Sequence, residues 1–161
     1  MAGIVYLKLM GKVQNQIKGS STDQNFGRKD AIECKSFTLN VIRPHDRPTG
    51  LATGRRLYEP IQFIKDIDQA TPGISKALVT NEEILSAEFR FFDVVNGTEK
   101  LVYTILTTGG RIVSQRQLAN ALDAALLSRP PQEEVGLVFQ SITGTWDDPN
   151  IVFTDTWAAQ T

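Results

Sequence analysis

The stretch PTGLATGRRLYEPIQFIKDID, residues 48–68, joins a turn-rich segment to an alternating apolar one. Its glycines and prolines favour turns, whereas Ile61, Phe63 and Ile67 would share one face of an extended chain. Glycine-rich loops with basic residues can bind phosphate, but a phosphate-binding loop ends in Lys followed by Ser or Thr and opens a helix. This stretch has neither property, so it predicts a projecting loop followed by a β-strand.

The same two-residue alternation recurs along most of the chain, which indicates strands with one buried face. The apolar phase shifts by one residue after Cys34, which predicts a β-bulge near Lys35–Ser36. Asn96-Gly97 lies between two alternating segments and is the strongest short signal for a hairpin. A further strand is expected to begin at Gly109-Gly110, and residues 147–150 are expected to form the turn of a last strand pair.

Two segments have helical spacing. Apolar residues three and four apart, with a proline suited to the first turn, predict a helix of at most three turns at Pro72–Thr80. Thr71 is expected to cap its N-terminus, and Asn81 to take the left-handed conformation after its last turn. At Arg116–Ser128, leucines four apart and high helix propensity favour a second helix. The alternative interpretation of this segment is a long connecting loop.

Together these elements predict one mainly β domain over residues 1–161, a closed antiparallel β-barrel or sandwich of short strands with one short α-helix and a protruding loop. The first residues lack the pattern of a Sec signal peptide, and no apolar run approaches the length of a membrane span. We therefore expect the chain to fold in the cytoplasm without membrane insertion.

The composition excludes several kinds of site. One cysteine, Cys34, rules out an internal disulfide, and its apolar neighbours predict a buried thiol. His45 and Asp46 are not expected to be catalytic, because neighbouring side chains on an extended chain point apart. The adjacent carboxylates Glu82-Glu83 and Glu133-Glu134 are interpreted as solvated surface. We predict no catalytic residues, no cofactor and no metal site.

Charge is unevenly distributed along the chain. Residues 1–65 carry eleven lysines and arginines against five acids, and residues 130–161 carry five acids and no base. One interpretation is a basic face for nucleic acid. The net charge of −1 favours the other interpretation, in which the two halves attract each other within one fold or between copies.

The loop from Arg43 to Tyr58 is the candidate functional site, because long loops in a compact domain usually carry function. Arginine and tyrosine are enriched at protein interfaces, so docking is the expected role. Asp147 and Asp148 are expected to offer the acidic partner surface on another copy. The loop residues expected to take part are Arg43, Arg47, Gly50, Gly54, Arg55, Arg56 and Tyr58.

Several motifs together resemble the haemolysin-coregulated protein (Hcp) family of bacterial type VI secretion. They are TGLATGRRLYEPIQFIKDID, TPGISKAL, LSAEFRFF, the Asn-Gly hairpin followed by YTI, and EEVGLVFQSITGTW. The resemblance covers nearly the whole chain and is most specific at Thr53–Asp68. The chain departs from the family pattern at Asn81, Gly109-Gly110 and Gly144, and residues 115–131 cannot be aligned.

The resemblance implies a tight β-barrel with a protruding loop. It implies that six copies close into a ring, that rings stack into a hollow tube assembled in the cytoplasm, and that the protruding loop touches a neighbouring ring. It also implies that the tube is expelled from the cell with effector proteins in its lumen. The implied partners are other copies of the chain, effectors, and apparatus components such as the spike and sheath, with no nucleic acid.

Alternatives remain open. A phage-type tail tube protein would have a similar barrel, and a monomeric binding module could use Arg55 and Arg56 on an anionic ligand. A small enzyme ranks last. We predict that reversing Arg55 and Arg56 to glutamate leaves the fold and the ring intact but abolishes stacking and secretion. The opposing hypothesis is that these arginines form a local salt bridge at the barrel mouth, so that reversal lowers stability.

Overall fold

Strands account for most of the protein. The computed structural model describes residues 4–119 and 130–157, and within them it has eleven β-strands, one α-helix and a short 3₁₀ turn at Asn25–Gly27. The strands are β1 (Ile4–Gly11), β2 (Asn15–Ile17), β3 (Ile32–Thr38), β4 (Val41–Ile42), β5 (Leu57–Tyr58), β6 (Ile61–Asp66), β7 (Ile84–Val95), β8 (Thr98–Leu118), β9 (Gln132–Val138), β10 (Ser141–Trp146) and β11 (Ile151–Thr156), and the helix is α1 (Thr71–Val79).

Six of the strands form a closed ring. β8 pairs with β7, β7 with β1, β1 with β3, β3 with β6, β6 with β9, and β9 pairs back with β8, always antiparallel. β2 pairs with β1, the β10–β11 hairpin continues the sheet from β8, and β4 and β5 form a separate two-stranded unit. The closed antiparallel fold expected from the sequence is confirmed, although unequal strands make it irregular rather than a regular barrel.

β8 is a single strand of 21 residues, so the separate strand expected to begin at Gly109-Gly110 is wrong. Before these glycines β8 pairs with β10, and after them it pairs with β9. Gly109 has a φ of 66°, and a Cβ on Gly110 would lie 2.6 Å from the carbonyl oxygen of Val138. The strand bends there instead of ending, because glycine alone fits both the left-handed backbone and the close approach.

Three local predictions are confirmed. The β3–β6 register shifts between Cys34 and Ser36, as expected for a β-bulge. Asn96 and Gly97 join β7 to β8 with φ angles of 52° and 78°, the left-handed pair that a two-residue type I′ turn requires. Asn81 follows α1 with a φ of 54°.

The helical predictions are confirmed only in part. α1 forms where expected, but Thr71 lies in its first turn and Ala70 precedes it, so Thr71 is not the N-cap. The second predicted helix is wrong at its start, because Arg116 and Leu118 pair with Glu134 and Gln132 as part of β8. Residues 120–129 of that segment lie outside the described residues. Within the described part of the chain, no helix is long and apolar enough to cross a bilayer.

The interior of the ring is apolar and aromatic. Leu7, Phe63 and Phe89 are fully buried, and the last two rings meet edge to face with centroids 5.6 Å apart. Ile74 on α1 is also fully buried, so the helix packs onto this core. Cys34 lies in the same core as expected, and burial raises the pKa of its thiol to about 12.

Two carboxylates interpreted from sequence as surface groups are buried, so that interpretation is wrong. Glu82 accepts hydrogen bonds from the backbone amides of Val13 and Gln14 at 3.0 and 2.9 Å. Glu133 is fully buried, and its Oε1 lies 3.0 Å from the ammonium nitrogen of the equally buried Lys65. Each carboxylate receives donors from a distant segment, which offsets its loss of water.

Candidate functional site

The predicted projecting loop is a two-stranded ribbon, residues 41–58, rather than an irregular segment. β4 pairs with β5 at its base, and His45 pairs with Ala52 further out. The amide of Thr53 donates to the carbonyl of Pro44 at 2.9 Å, and the amide of Gly50 donates to Asp46 at 2.7 Å. His45 thus lies in a structural bridge of the ribbon.

The predicted loop residues have different roles in the ribbon. The Nη1 of Arg43 donates to the carbonyl of Gly54 at 3.2 Å, which links the two sides of the ribbon. Gly50 supplies a left-handed turn with a φ of 70°. Arg47 and Arg55 are exposed. Three of the arginines therefore sit along the exposed part of the ribbon.

Arg56 and Tyr58 instead bind Asp155 on β11, and we call these three residues the clasp. Arg56 Nε lies 2.7 Å from Asp155 Oδ2, and Arg56 Nη2 lies 2.8 Å from Oδ1, so the guanidinium grips the carboxylate with two parallel hydrogen bonds. The hydroxyl of Tyr58 donates to Asp155 Oδ2 at 2.7 Å. Arg56 also donates to the carbonyl of Thr156. The hypothesis of a local salt bridge therefore holds for Arg56.

The clasp stays charged over a wide pH range. Hydrogen bonds from Arg56 and Tyr58 lower the pKa of Asp155 from 3.8 to about 2. Burial, together with the hydrogen bond to Asp155, raises the pKa of Tyr58 to about 12. Because the pKa of Asp155 is depressed in the folded state, its contribution to stability is present above the unfolded value near 3.8 and is lost as the pH falls toward 2.

β11 presents an apolar edge. Among the described strands it pairs with β10 alone, at the end of the sheet. Ile151, Val152 and Phe153 are each 55–61% exposed, although successive side chains on a strand point to opposite faces. An exposed apolar strand at a sheet edge is typical of a surface that pairs with or packs against another protein.

The acidic pair and the clasp lie at opposite ends of the β10–β11 hairpin. Asp147 and Asp148 are exposed in its turn, next to the Trp146–Ile151 pair, whereas Asp155 pairs with Ile142. Four strand steps, or roughly 14 Å, separate the two pairs. The ribbon base and the acidic turn therefore face different ends of this hairpin.

Sequence reasoning missed Asp155 as a functional residue. It is separated from Arg56 by 99 positions. The one feature of the sequence that pointed to Asp155 was its place in the acidic C-terminal segment. Across residues 4–119 and 130–157, no cluster of three or more His, Cys, Asp or Glu side chains is placed to bind a metal ion. The described residues do form three exposed features: the ribbon, the apolar edge of β11 and the acidic turn.

Comparison with known proteins identifies the family. A family model described as "Type VI secretion system effector, Hcp" matches residues 6–146, which include the six strands of the closed ring except the first two residues of β1. The chain belongs to the Hcp family. The resemblance inferred from its motifs is therefore confirmed, and with it a place in type VI secretion. The Hcp family is a family of structural tube proteins.

Individual Hcp proteins are similar along almost their whole length. The "Major exported protein" of Pseudomonas aeruginosa is 26% identical over 98% of this chain and 96% of its own. Hcp1 from the E. coli EAEC 042 pathovar is 30% identical, with a TM-score of 0.83 over 95% of this chain and 97% of its own. The secreted protein Hcp3 of Pseudomonas aeruginosa, at 20% identity and a TM-score of 0.78 over 98% of this chain and all of its own, shares the fold.

One departure from the Hcp pattern has a structural explanation. Gly144 on β10, one of the positions at which the sequence was interpreted as departing from the family pattern, is buried. The hydroxyl of Tyr103 on β8 occupies the space that a side chain at this position would need. A larger side chain at position 144 would therefore displace the Tyr103 side chain.

Proposed function

We propose that this chain is the subunit of a six-membered ring, and that rings stack into the hollow inner tube of a type VI secretion apparatus. The tube is secreted, carries effector proteins in its lumen, and meets the spike and sheath of the apparatus. The observation that carries the proposal is the family match across the closed ring of strands, joined to a ribbon that projects from it. The name of the similar Pseudomonas protein, "Major exported protein", supports secretion.

The exposed edge of β11 is the surface proposed for contact between subunits within a ring. A ring needs a heterologous contact, in which one patch meets a different patch on the next copy. The run from Ile151 to Phe153 offers apolar area that folding leaves uncovered. A persistent contact of this kind buries on the order of 1,000 Å² or more.

The ribbon and the acidic turn are proposed to join one ring to the next. The ribbon carries exposed Arg43, Arg47 and Arg55, and the turn carries exposed Asp147 and Asp148. Their placement toward opposite ends of the β10–β11 hairpin suits head-to-tail stacking, because one end of each subunit then meets the other end of the next. Opposite charge on the two surfaces favours this order over head-to-head contact.

The ring is tested by measuring the mass of the purified protein. At tens of micromolar and moderate salt, native mass spectrometry and light scattering are expected to give six times the chain mass of 17.8 kDa. Val152→Glu is expected to give single chains, because a carboxylate would be buried at the contact. A mass of 17.8 kDa for the unmodified protein contradicts the proposal and favours the monomeric binding module.

The matched control is the same substitution at an exposed valine elsewhere. Val79 on α1 is 84% exposed, so Val79→Glu is expected to leave the ring mass unchanged. If both variants dissociate the ring equally, the edge of β11 is not the specific contact.

A further inference from the structure

We infer that Asp155 is a positioning residue: through the clasp it fixes the direction in which the ribbon projects and links that direction to the apolar edge of β11. This inference rests on the proposed function, in which the ribbon joins rings. It assigns Arg56 and Tyr58 to the subunit's own structure rather than to the contact with the next ring.

Among the described residues, most side chains of the ribbon outside the clasp are exposed. Its hydrophobic side chains Val41, Ile42, Leu51 and Leu57 are all exposed. At its base, the amide of Glu59 donates to the carbonyl of Asn40 at 3.0 Å. This bond joins the two strands of the ribbon to each other and not to the rest of the subunit. A two-stranded unit whose apolar side chains are not buried is marginally stable by itself. The direction of the ribbon therefore depends on the contacts at its base.

The clasp supplies such a contact with defined geometry. The planar guanidinium of Arg56 meets both oxygens of Asp155, which restrains the side chain in two directions at once. The ring of Tyr58 packs edge-on against Phe139 and Trp157, with centroids 5.2 and 5.8 Å away. The side chains of Arg56 and Asp155 are only 12% and 14% exposed, so water screens their attraction weakly.

Asp155 also belongs to β11, only two residues beyond the exposed run Ile151–Phe153. A second copy that covers this run would hold β11 still, and the clasp would pass that restraint to the ribbon. A chain within a ring would then present a better-ordered ribbon than a single chain. Rings, rather than single chains, would therefore be the units that add to a growing tube.

The test measures the direction of the ribbon and the stacking of rings separately. Spin labels at Thr49→Cys in the ribbon and Val79→Cys on α1 report their separation by pulsed electron resonance; buried Cys34 is shielded from the label. Asp155→Asn keeps the shape but removes the charge that the guanidinium binds. We expect the width of the distance distribution to increase at least twofold and the number of stacked rings in micrographs to fall at least tenfold. The ring mass should not change, and the melting temperature should fall without loss of the fold, because the charged pair no longer adds to stability.

Matched variants separate positioning from stability. Asp30→Asn removes a half-buried carboxylate 3.8 Å from Lys18, at a backbone φ of 64° that asparagine tolerates. It is expected to change neither readout. Arg56→Lys keeps the charge but loses the paired hydrogen bonds, so an intermediate width is expected. Tyr58→Phe removes one donor to Asp155 and is also expected to be intermediate.

The outcomes are distinct. A narrow distribution in Asp155→Asn, or normal stacking despite a broad one, overturns the inference. If Asp155→Asn loses rings or unfolds while Tyr58→Phe keeps both a narrow distribution and normal stacking, the clasp is a folding element and the inference is again wrong. Failure of the proposed function looks different: the unmodified protein would form no rings, whereas Asp155→Asn would still broaden the distance distribution of the single chain.

Discussion

Glu133→Ala is expected to lower the free energy of unfolding by about 3–5 kcal/mol, a large share of the roughly 5–15 kcal/mol that is typical of a folded domain. The substitution removes the carboxylate that faces a fully buried ammonium group. Lys65 keeps its contact with Asp68, but a buried charge that loses one of its two carboxylates cannot recover the lost hydration, so the folded state bears most of the penalty.

The cost is increased by the position of Glu133 in a hydrogen-bond network. Its Oε1 lies 3.0 Å from Lys65 Nζ, which also lies 2.9 Å from a carboxylate oxygen of Asp68 just before α1. Gln115 on β8 donates to Glu133 Oε2 at 3.3 Å and accepts from the hydroxyl of Ser75 at 2.6 Å. The network therefore joins β6, β8 and β9 to the helix that packs on the core.

Urea unfolding followed by circular dichroism measures the effect, with Glu134→Ala as the matched control. Glu134 is the next residue on β9, on the opposite face, and is only half-buried. We expect its replacement to cost less than about 1 kcal/mol. Equal losses in the two variants would show that the buried pair adds nothing specific.

A double replacement separates the burial of charge from the loss of packing. Lys65→Met with Glu133→Leu removes both charges and keeps similar volumes, so the double variant is expected to be more stable than Glu133→Ala alone. A double variant that is less stable than the single one would mean that the interactions of the network stabilise the fold by more than the cost of removing its charges from water.

Much of the fold could be predicted because its signals are local. The bulge after Cys34, the hairpin at Asn96-Gly97 and the left-handed Asn81 each depend on a few neighbouring residues. The continuity of β8 through Gly109-Gly110 could not be predicted, since two glycines equally suit an end and a bend. What decides between them is the approach of β9, which is a tertiary contact.

The burial of Glu133 and the clasp could not be predicted for the same reason. Glu133 and Lys65 are 68 positions apart, and they meet because β6 and β9 pair in register. Adjacent glutamates in a strand point to opposite faces, so sequence alone leaves open which of the two is buried. The uneven charge of the chain is partly explained by these pairs, because Lys65 with Glu133 and Arg56 with Asp155 join the basic half to the acidic tail within one fold.

Arg43→Glu combined with Arg47→Glu is expected to leave single rings intact and to reduce stacked rings at least tenfold. Both side chains are exposed on the ribbon, and neither belongs to the clasp. Arg43 loses only its exposed hydrogen bond to the carbonyl of Gly54, so the melting temperature should change little. This pair replaces the Arg55 and Arg56 reversal suggested by the sequence, because Arg56→Glu would set two carboxylates against each other at Asp155.

An exposed ion pair is worth only about 0–1 kcal/mol. Its loss is repeated at every subunit of a ring, so the losses combine.

The proposed partner of the ribbon is tested by reversing the other surface as well. Asp147→Lys with Asp148→Lys should also prevent stacking, because like charges then meet between rings. Rings of the two reversed kinds, mixed in equal amounts, are expected to stack in alternation, since each ribbon then meets a turn of opposite charge. Raising the salt concentration should shorten these mixed stacks. Electron microscopy of the separate and mixed samples decides the matter: if the mixture stacks no better than either kind alone, the ribbon meets a surface other than the acidic turn.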